Sequence, residues 1–381
     1  MTFGRSSREP WADKLAQFQA FTVAHPNLVA AKNALLTAIR ELEPNSIVLV
    51  FGPTGVGKTT LRMRTEQILI EELRPELETD RGRIPVASIE AIAPDSGSFC
   101  WGSHFRRLLA EMDDPLADRK RLPGADQDGR ARYLKARSSG AEYRYAVEQA
   151  LRLRRPAAVM IDEAQHLAKV ASGRRLLDQL DVIKSVANRT NTVHVLFGTY
   201  DLLAFRNLSG QLSRRRVDVH FPRYRADSGE DRKTFINVVH SFQSKLPLPD
   251  PPNLVKCWEF LYERSLGCVG VLKQWLVRAL SSALRHSDAT ISLRALEVHA
   301  LSPAQCDKIL SEVIEGEARL NDGDGLRSKL RARLGLVEVA APAPDSVPQA
   351  STSVRRKLRP GQRKPVRDPI GRPAPSYAGC L

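Results

Sequence analysis

The sequence predicts an α/β protein with a parallel sheet, followed by an all-helical domain and a disordered basic tail. Three observations carry that expectation. Short β-branched runs alternate with helix-spaced stretches through the first 225 residues, strand-like runs stop after Arg225, and residues 341–381 are rich in proline and basic side chains. Strand alternating with helix implies a layered α/β fold with right-handed crossovers.

The elements follow in chain order. Residues 1–45 read as an N-terminal helical segment, with Asp13 to Phe21 helical. Ser46–Phe51, Ile84–Ile89, Ala157–Ile161, Val193–Phe197 and Val217–Phe221 read as strands. The first four are apolar on both faces, as in a covered parallel sheet, and the fifth alternates. Thr60–Leu73, Ser103–Met112, Glu142–Arg155 and Arg174–Asn188 have helical spacing, so residues 46–225 form the α/β core. A basic insertion at about 115–140 interrupts it. Residues 226–320 predict a helical lid through Asp231–Phe242, Leu254–Ser265, Val269–His286 and Ser302–Arg319. Residues 321–381 form the tail: 341–381 hold eight of the 24 prolines and eight basic residues against two acidic ones, too little apolar surface to offset ordering entropy.

Composition narrows the function classes. The 381 residues are 42% hydrophobic, enough for a sizeable core, and 58 Lys and Arg against 43 Asp and Glu give a net charge of +15. That excess predicts an acidic partner such as nucleic acid or an anionic surface. No apolar run approaches the roughly 18 residues a spanning helix needs. MTFGRSSREPW lacks the apolar core of a signal peptide. Five scattered cysteines with no CxxC pair disfavour a disulfide framework or zinc site, and a cytoplasmic location is expected.

Chemistry concentrates in two places. Gly52-Pro53-Thr54-Gly55-Val56-Gly57-Lys58-Thr59, followed by Thr60, is a full GxxxxGK[ST] between a strand and a helix. Glycines let the backbone N–H groups curl toward a β-phosphate, and the following helix adds its positive end. Lys58 would bridge the β- and γ-phosphates of ATP, and Thr59 would hold Mg²⁺. Without a ligand the loop is a glycine-rich turn, but its flanks favour the phosphate reading. At the end of a later strand stands Asp162-Glu163. Asp162 completes a Mg²⁺ shell and Glu163 activates water, against the plainer reading of a helix cap. After the phosphate loop, hydrolysis is favoured.

Two weaker signals follow. Phe197-Gly198-Thr199 puts a polar residue at a strand end, where it would lie beside the γ-phosphate. Gln211-Leu-Ser-Arg214-Arg215-Arg216 precedes the fifth strand, and two readings of these arginines stand: a finger reaching a neighbouring subunit's γ-phosphate, or a DNA-facing basic surface.

Together these residues resemble an AAA+ ATPase and, within that class, the TniB/TnsC-type transposition regulators. The resemblance covers about residues 20–310. It rests on DEAQHL (Asp162–Leu167), Gln179–Leu203, QLSRRRVDVHFPRY (Gln211–Tyr224) and GCVGVLKQWLVRAL (Gly267–Leu280). It implies an AAA+ P-loop three-layer core, Thr199 as first sensor, Arg215 as arginine finger ahead of Arg214 and Arg216, and Lys273 after Gly270 as second sensor. Lysine there departs from the family's usual arginine and lacks its bidentate fork. His25, Pro26 and Leu28 would flank the adenine.

The resemblance further implies an ATP-bound homo-oligomer, a ring or helical filament, around duplex DNA held by its backbone. The implied partners are a transposase and a target-selection protein of the same element, with hydrolysis driving disassembly. Arg106, Arg107, Arg119, Lys120, Arg121, Arg130, Arg132, Lys135 and Arg137 are the candidate DNA-facing residues, and residues 350–372 a candidate docking segment. The main alternative keeps the fold and makes the chain a replication initiator or helicase loader. A small-molecule kinase or monomeric ATPase, and a DNA-binding regulator whose ATPase has decayed, are the other rivals.

Overall fold

The computed structural model describes residues 10–43, 45–94, 99–114, 117, 140–168, 174–206, 216–320 and 324–336. Through the core the elements run α1 (Pro10–Ala20), α2 (Pro26–Glu41), β1 (Ile47–Phe51), α3 (Lys58–Thr79), β2 (Val86–Glu90), α4 (Trp101–Glu111), α5 (Gly140–Arg154), β3 (Ala158–Asp162), α6 (Arg174–Thr190), β4 (Val193–Gly198) and β5 (Arg216–His220). Beyond it come α7 (Gly229–Gln243), α8 (Trp258–Ser265), α9 (Val269–His286), α10 (Leu293–His299), α11 (Pro303–Ala318) and α12 (Asp324–Arg333).

Successive side chains on a strand point to opposite faces, and here both faces are covered. Ile47, Leu49 and Phe51 of β1 enter one apolar cluster with Val159, Ile161 and Leu196, closed by residues of α4, α5 and α6. Val48 and Val50 enter the other with Met160, Val195 and Phe197, closed by Leu28, Leu35, Leu61 and Leu69 of α2 and α3. The strand order is β2-β3-β4-β1-β5 and every pairing is parallel. β1, β3 and β4 are buried along their whole length. β2 departs from the expectation of two apolar faces: it alternates half-buried and buried positions, because it is an edge strand with only β3 beside it.

The order positions the chemistry. β4 lies between β1 and β3, with Phe51 opposite Gly198. The end of β4 therefore falls between the loop after β1 and the Asp-Glu pair after β3.

The lid has its own core, and α1 belongs to it although it comes first in the chain. Phe18 packs in one cluster with Phe235, Phe242, Leu261, Trp275 and Leu276 of α7, α8 and α9. α11 returns to the α/β core, where Val313 is buried in the first cluster. Arg223 grips Glu317 with two hydrogen bonds, at 2.9 and 3.2 Å. By contacts the chain divides into Met1–Asn321 and Asp322–Leu381, so core and lid share one unit. The second unit contains α12, which precedes the segment 341–381 that the sequence reads as disordered. Its sequence DGLRSKLRAR is built mainly from good helix formers. The proline-rich segment 341–381, the insertion residues 118–139 and the docking segment 350–372 lie outside the described residues.

Among the described residues no helix is long and apolar enough to cross a membrane.

Candidate functional site

The loop from β1 to α3 is shaped by glycine where side chains cannot fit. Gly55 and Gly57 have φ of +73° and +118°, left-handed values that favour glycine. A Cβ on Gly52 would stand 2.1 Å from the Phe221 carbonyl oxygen. Lys58 opens α3 and folds back: Nζ donates to the carbonyl oxygens of Gly52 (3.1 Å) and Pro53 (2.8 Å). The residue is 8% exposed. Burial pushes its pKa down to about 8, partly opposed by Glu163, Cys268 and Asp162. A buried ammonium held by two neutral carbonyls is poorly compensated, so the cradle fits an anion such as a phosphate.

One residue on, Thr59 Oγ1 donates to Asp162 Oδ2 at 3.1 Å, and the Arg62 Nε donates to the same oxygen at 3.2 Å. A hydroxyl and a carboxylate side by side are hard oxygen donors of the kind Mg²⁺ takes beside phosphates. Glu163 has φ 52°, ψ 30°. That left-handed residue turns the chain from β3 into the single 3₁₀ turn Ala164–Leu167. Gln165, buried in this turn, donates through Nε2 to Glu163 Oε2 and accepts the Thr199 N–H on Oε1 at 3.3 Å. Thr199 caps the 3₁₀ turn Tyr200–Phe205.

Lys58, Thr59, Glu163, Gln165 and Thr199 line a cavity of about 1260 Å³ whose far wall is helical. The start of α9 touches the phosphate loop, the Val271 N–H donating to the Gly55 carbonyl at 2.9 Å. A Cβ on Gly270 would meet that same oxygen at 2.4 Å. Lys273 lines the cavity, its Nζ donating to the Gln19 carbonyl of α1 at 2.7 Å. α11 adds Glu312, Val313, Glu315 and Gly316. Gly316 fits because it lacks a Cβ, which would stand 2.3 Å from the Tyr200 ring.

Of the expected site residues, Pro53, Thr54, Gly55, Gly57, Lys58, Thr59, Thr60, Glu163, Thr199 and Lys273 line this cavity. Gly52 and Val56 anchor the loop from below, Val56 inside the second core cluster. Asp162 is 6% exposed beneath Thr59. His25, Pro26 and Leu28 are not among the lining residues. His25 instead caps α2 and its Nδ1 hydrogen-bonds the Tyr224 hydroxyl at 2.9 Å. Arg216 is no free finger: its guanidinium bonds Asp218 and the carbonyls of Phe205 and Arg206. Arg214 and Arg215 lie outside the described residues, as do all the DNA-facing candidates except Arg106 and Arg107. Both of these are on α4, and Arg107 bonds the Glu90 carbonyl.

Sequence reasoning assigned no role to Gln165, Arg62, Gln19 or the α11 wall. Gln165 stood inside a quoted motif, but only the fold shows what it touches.

A parallel sheet in this order, with a glycine-rich loop after β1, an Asp-Glu pair after β3, a polar end to β4 and a helical lid, is the architecture of an AAA+ P-loop domain. Residues 40–206 match the family model described as AAA domain, a span holding the loop, the acidic pair and Thr199. No curated protein matches the sequence. Among solved structures, the ADP form of the Aeropyrum pernix ORC2 protein is similar at 13% identity and TM-score 0.49, covering 74% of this chain and 71% of that one. The Aeropyrum pernix ORC1 protein in complex with DNA is 18% identical at TM-score 0.47, covering 75% and 67%. Domain III of the Thermotoga maritima replication initiation protein DnaA is 16% identical at TM-score 0.40, covering 76% and 96%. At these values the likeness is one of general architecture and assigns no role.

Proposed function

We propose that this chain is a Mg²⁺-dependent ATPase that oligomerises on duplex DNA in its ATP state and recruits and activates a transposase at the target site. The observation that supports it most is the convergence of Lys58, Thr59, Glu163 and Thr199 on one cavity walled by the lid, with Asp162 bonded to Thr59 beneath them. Lys58 would exchange its loop carbonyls for phosphate oxygens. Thr59 and Asp162 would hold the cation, and Glu163 would orient and deprotonate water. Bound Mg²⁺ would offset the charge that develops on the phosphates. The lid touches the phosphate loop directly through Val271 and Gly55, giving nucleotide a route to subunit geometry.

Assembly and DNA follow from other features. Arg215 is the proposed finger acting on a neighbour, and the net charge of +15 suits a polyanion gripped by its phosphates. The transposition role rests on the sequence resemblance, with a target-selection protein of the same element as the second partner.

Electron microscopy with duplex DNA and ATP, ADP or a non-hydrolysable analogue tests this reading. Rings or filaments with the analogue, absent in Lys58→Ala and Arg215→Ala, are expected, together with stimulated strand transfer by the cognate transposase. A monomer indifferent to DNA in every nucleotide state overturns the proposal. DNA assemblies that promote helicase loading and leave strand transfer unchanged would move the same chemistry to replication.

A further inference from the structure

We infer that Gln165 is the positioning residue of the hydrolytic site, holding Glu163 in register with Thr199. The inference rests on the ATPase reading above and adds a residue to which that reading gives no part.

The bonding pattern carries it. A carboxylate can only accept and a backbone N–H can only donate, so a side chain joining Glu163 to the Thr199 amide needs one donor and one acceptor. Gln165 supplies both: Nε2–H to Glu163 Oε2, and Oε1 to the Thr199 N–H at 3.3 Å. The two partners also fix which end of the amide is nitrogen. Gln165 is 4% exposed, so neither bond is exchanged easily for water.

The surroundings are shaped for this amide. The left-handed backbone at Glu163 begins the turn that returns residue 165 to the end of β4. There Gly198 leaves it room: a Cβ on Gly198 would stand 2.6 Å from Gln165 Oε1 and 2.9 Å from Leu202. Glycine at 198, which ends β4, and glutamine at 165, in the turn after β3, are two halves of one fit. With Oε2 held, Glu163 keeps its other oxygen for the water, and its position follows any movement of Thr199. Thr199 is followed directly by Tyr200, whose ring receives Gly316 of α11. Gln165 is thus the bond through which the helical wall reaches the water-activating carboxylate.

The test uses the full chain with Mg²⁺ and ATP, with and without duplex DNA, comparing wild type, Gln165→Ala, Gln165→Glu and Gly198→Ala. Gln165→Glu keeps the shape and can still accept from Thr199, but cannot donate to Glu163 and sets a second carboxylate against it. Gln165→Ala and Gln165→Glu should lower kcat about a hundredfold, the loss expected when a reacting group is misplaced by an ångström, with KM and ADP affinity changed less than about twofold. In nucleotide-free protein, hydrogen exchange of the peptide holding Thr199 should accelerate in Gln165→Ala and Gly198→Ala and stay slow in Gln165→Glu.

Retained ADP binding shows that each variant is folded. If Gln165→Ala does not fold, the isosteric Gln165→Glu decides. Wild-type turnover that depends on Glu163 but survives both Gln165 changes overturns the inference and leaves the ATPase reading intact. A rise in kcat overturns it too, since the bond would then restrain Glu163. A wild type that does not hydrolyse ATP overturns both.

Discussion

The two walls of the cavity proposed to hold nucleotide are built in opposite ways. The phosphate wall is local: Gly52 to Thr60 are consecutive, and Lys58 finds its bonding partners five and six residues away. The helical wall is assembled from afar. Gln19 and Lys273 meet across 254 residues, and Gly316 seats on Tyr200 from the other end of the unit. A local motif can present the same chemistry in any state of the protein. The contacts of α9 with Gly55 and of α11 with Tyr200 exist only when core and lid are docked, so this is the wall that can register closure.

The sharpest way to break this contrast is Lys58→Ala. Losing a charged hydrogen-bond donor to phosphate should weaken ATP and ADP binding by about 3 kcal/mol, roughly a hundredfold, in calorimetric titration. Folding should be unaffected, since the buried ammonium is a desolvated charge in the free protein. An affinity within a few-fold of wild type would show that the lid, and not the loop, holds the nucleotide.

Acid probes the joint between the two regions. His25 caps α2 in the core and bonds Tyr224 at the start of the lid. Burial lowers its pKa from 6.5 to about 4. The unfolded chain therefore takes up the proton first. Its contribution is intact above about pH 6.5 and is lost as pH falls toward 4, by up to about 3 kcal/mol. His104 and His194, also held at about 4 by burial, act in the same direction. His25→Asn, which can still cap α2, should flatten the acid limb of a melting-temperature profile in part. An unchanged limb would assign it to the other histidines whose pKa burial lowers, His220 among them.

A smaller effect is expected at the far wall. Gly316→Ala places a methyl group into the Tyr200 ring and should cost about 2 kcal/mol in urea denaturation, the usual scale for overpacking. ADP affinity should change less than for Lys58→Ala, because the phosphate wall is untouched. The smallest belongs to Lys273. Lys273→Met removes one partly exposed bond to Gln19 and should change stability by under about 1 kcal/mol. If the same variant also weakens ATP more than ADP, Lys273 turns to the γ-phosphate on closure. Equal weakening would leave it as a tie between α1 and α9.

The α/β core, the glycine-rich loop, the acidic pair, Thr199 and the helix Val269–His286, whose ends the structure reproduces, are legible in the chain alone. Those features are legible because each is carried by neighbouring residues: strand periodicity, a glycine pattern, a carboxylate at a strand end. Which strand lies between β1 and β3, that α1 joins the lid core, and that His25 is a cap emerge only from the packed fold. The fold also withdraws Arg216, which ranks behind Arg215 in the sequence and is spent on Asp218 and two carbonyls. Gln165 shows why such features stay hidden. Its donor and acceptor are as visible in the sequence as any glutamine's, but hydrogen bonds are directional and short. Their partners are set by the register of β3 against β4, and that register comes from packing apolar side chains on both faces of the sheet.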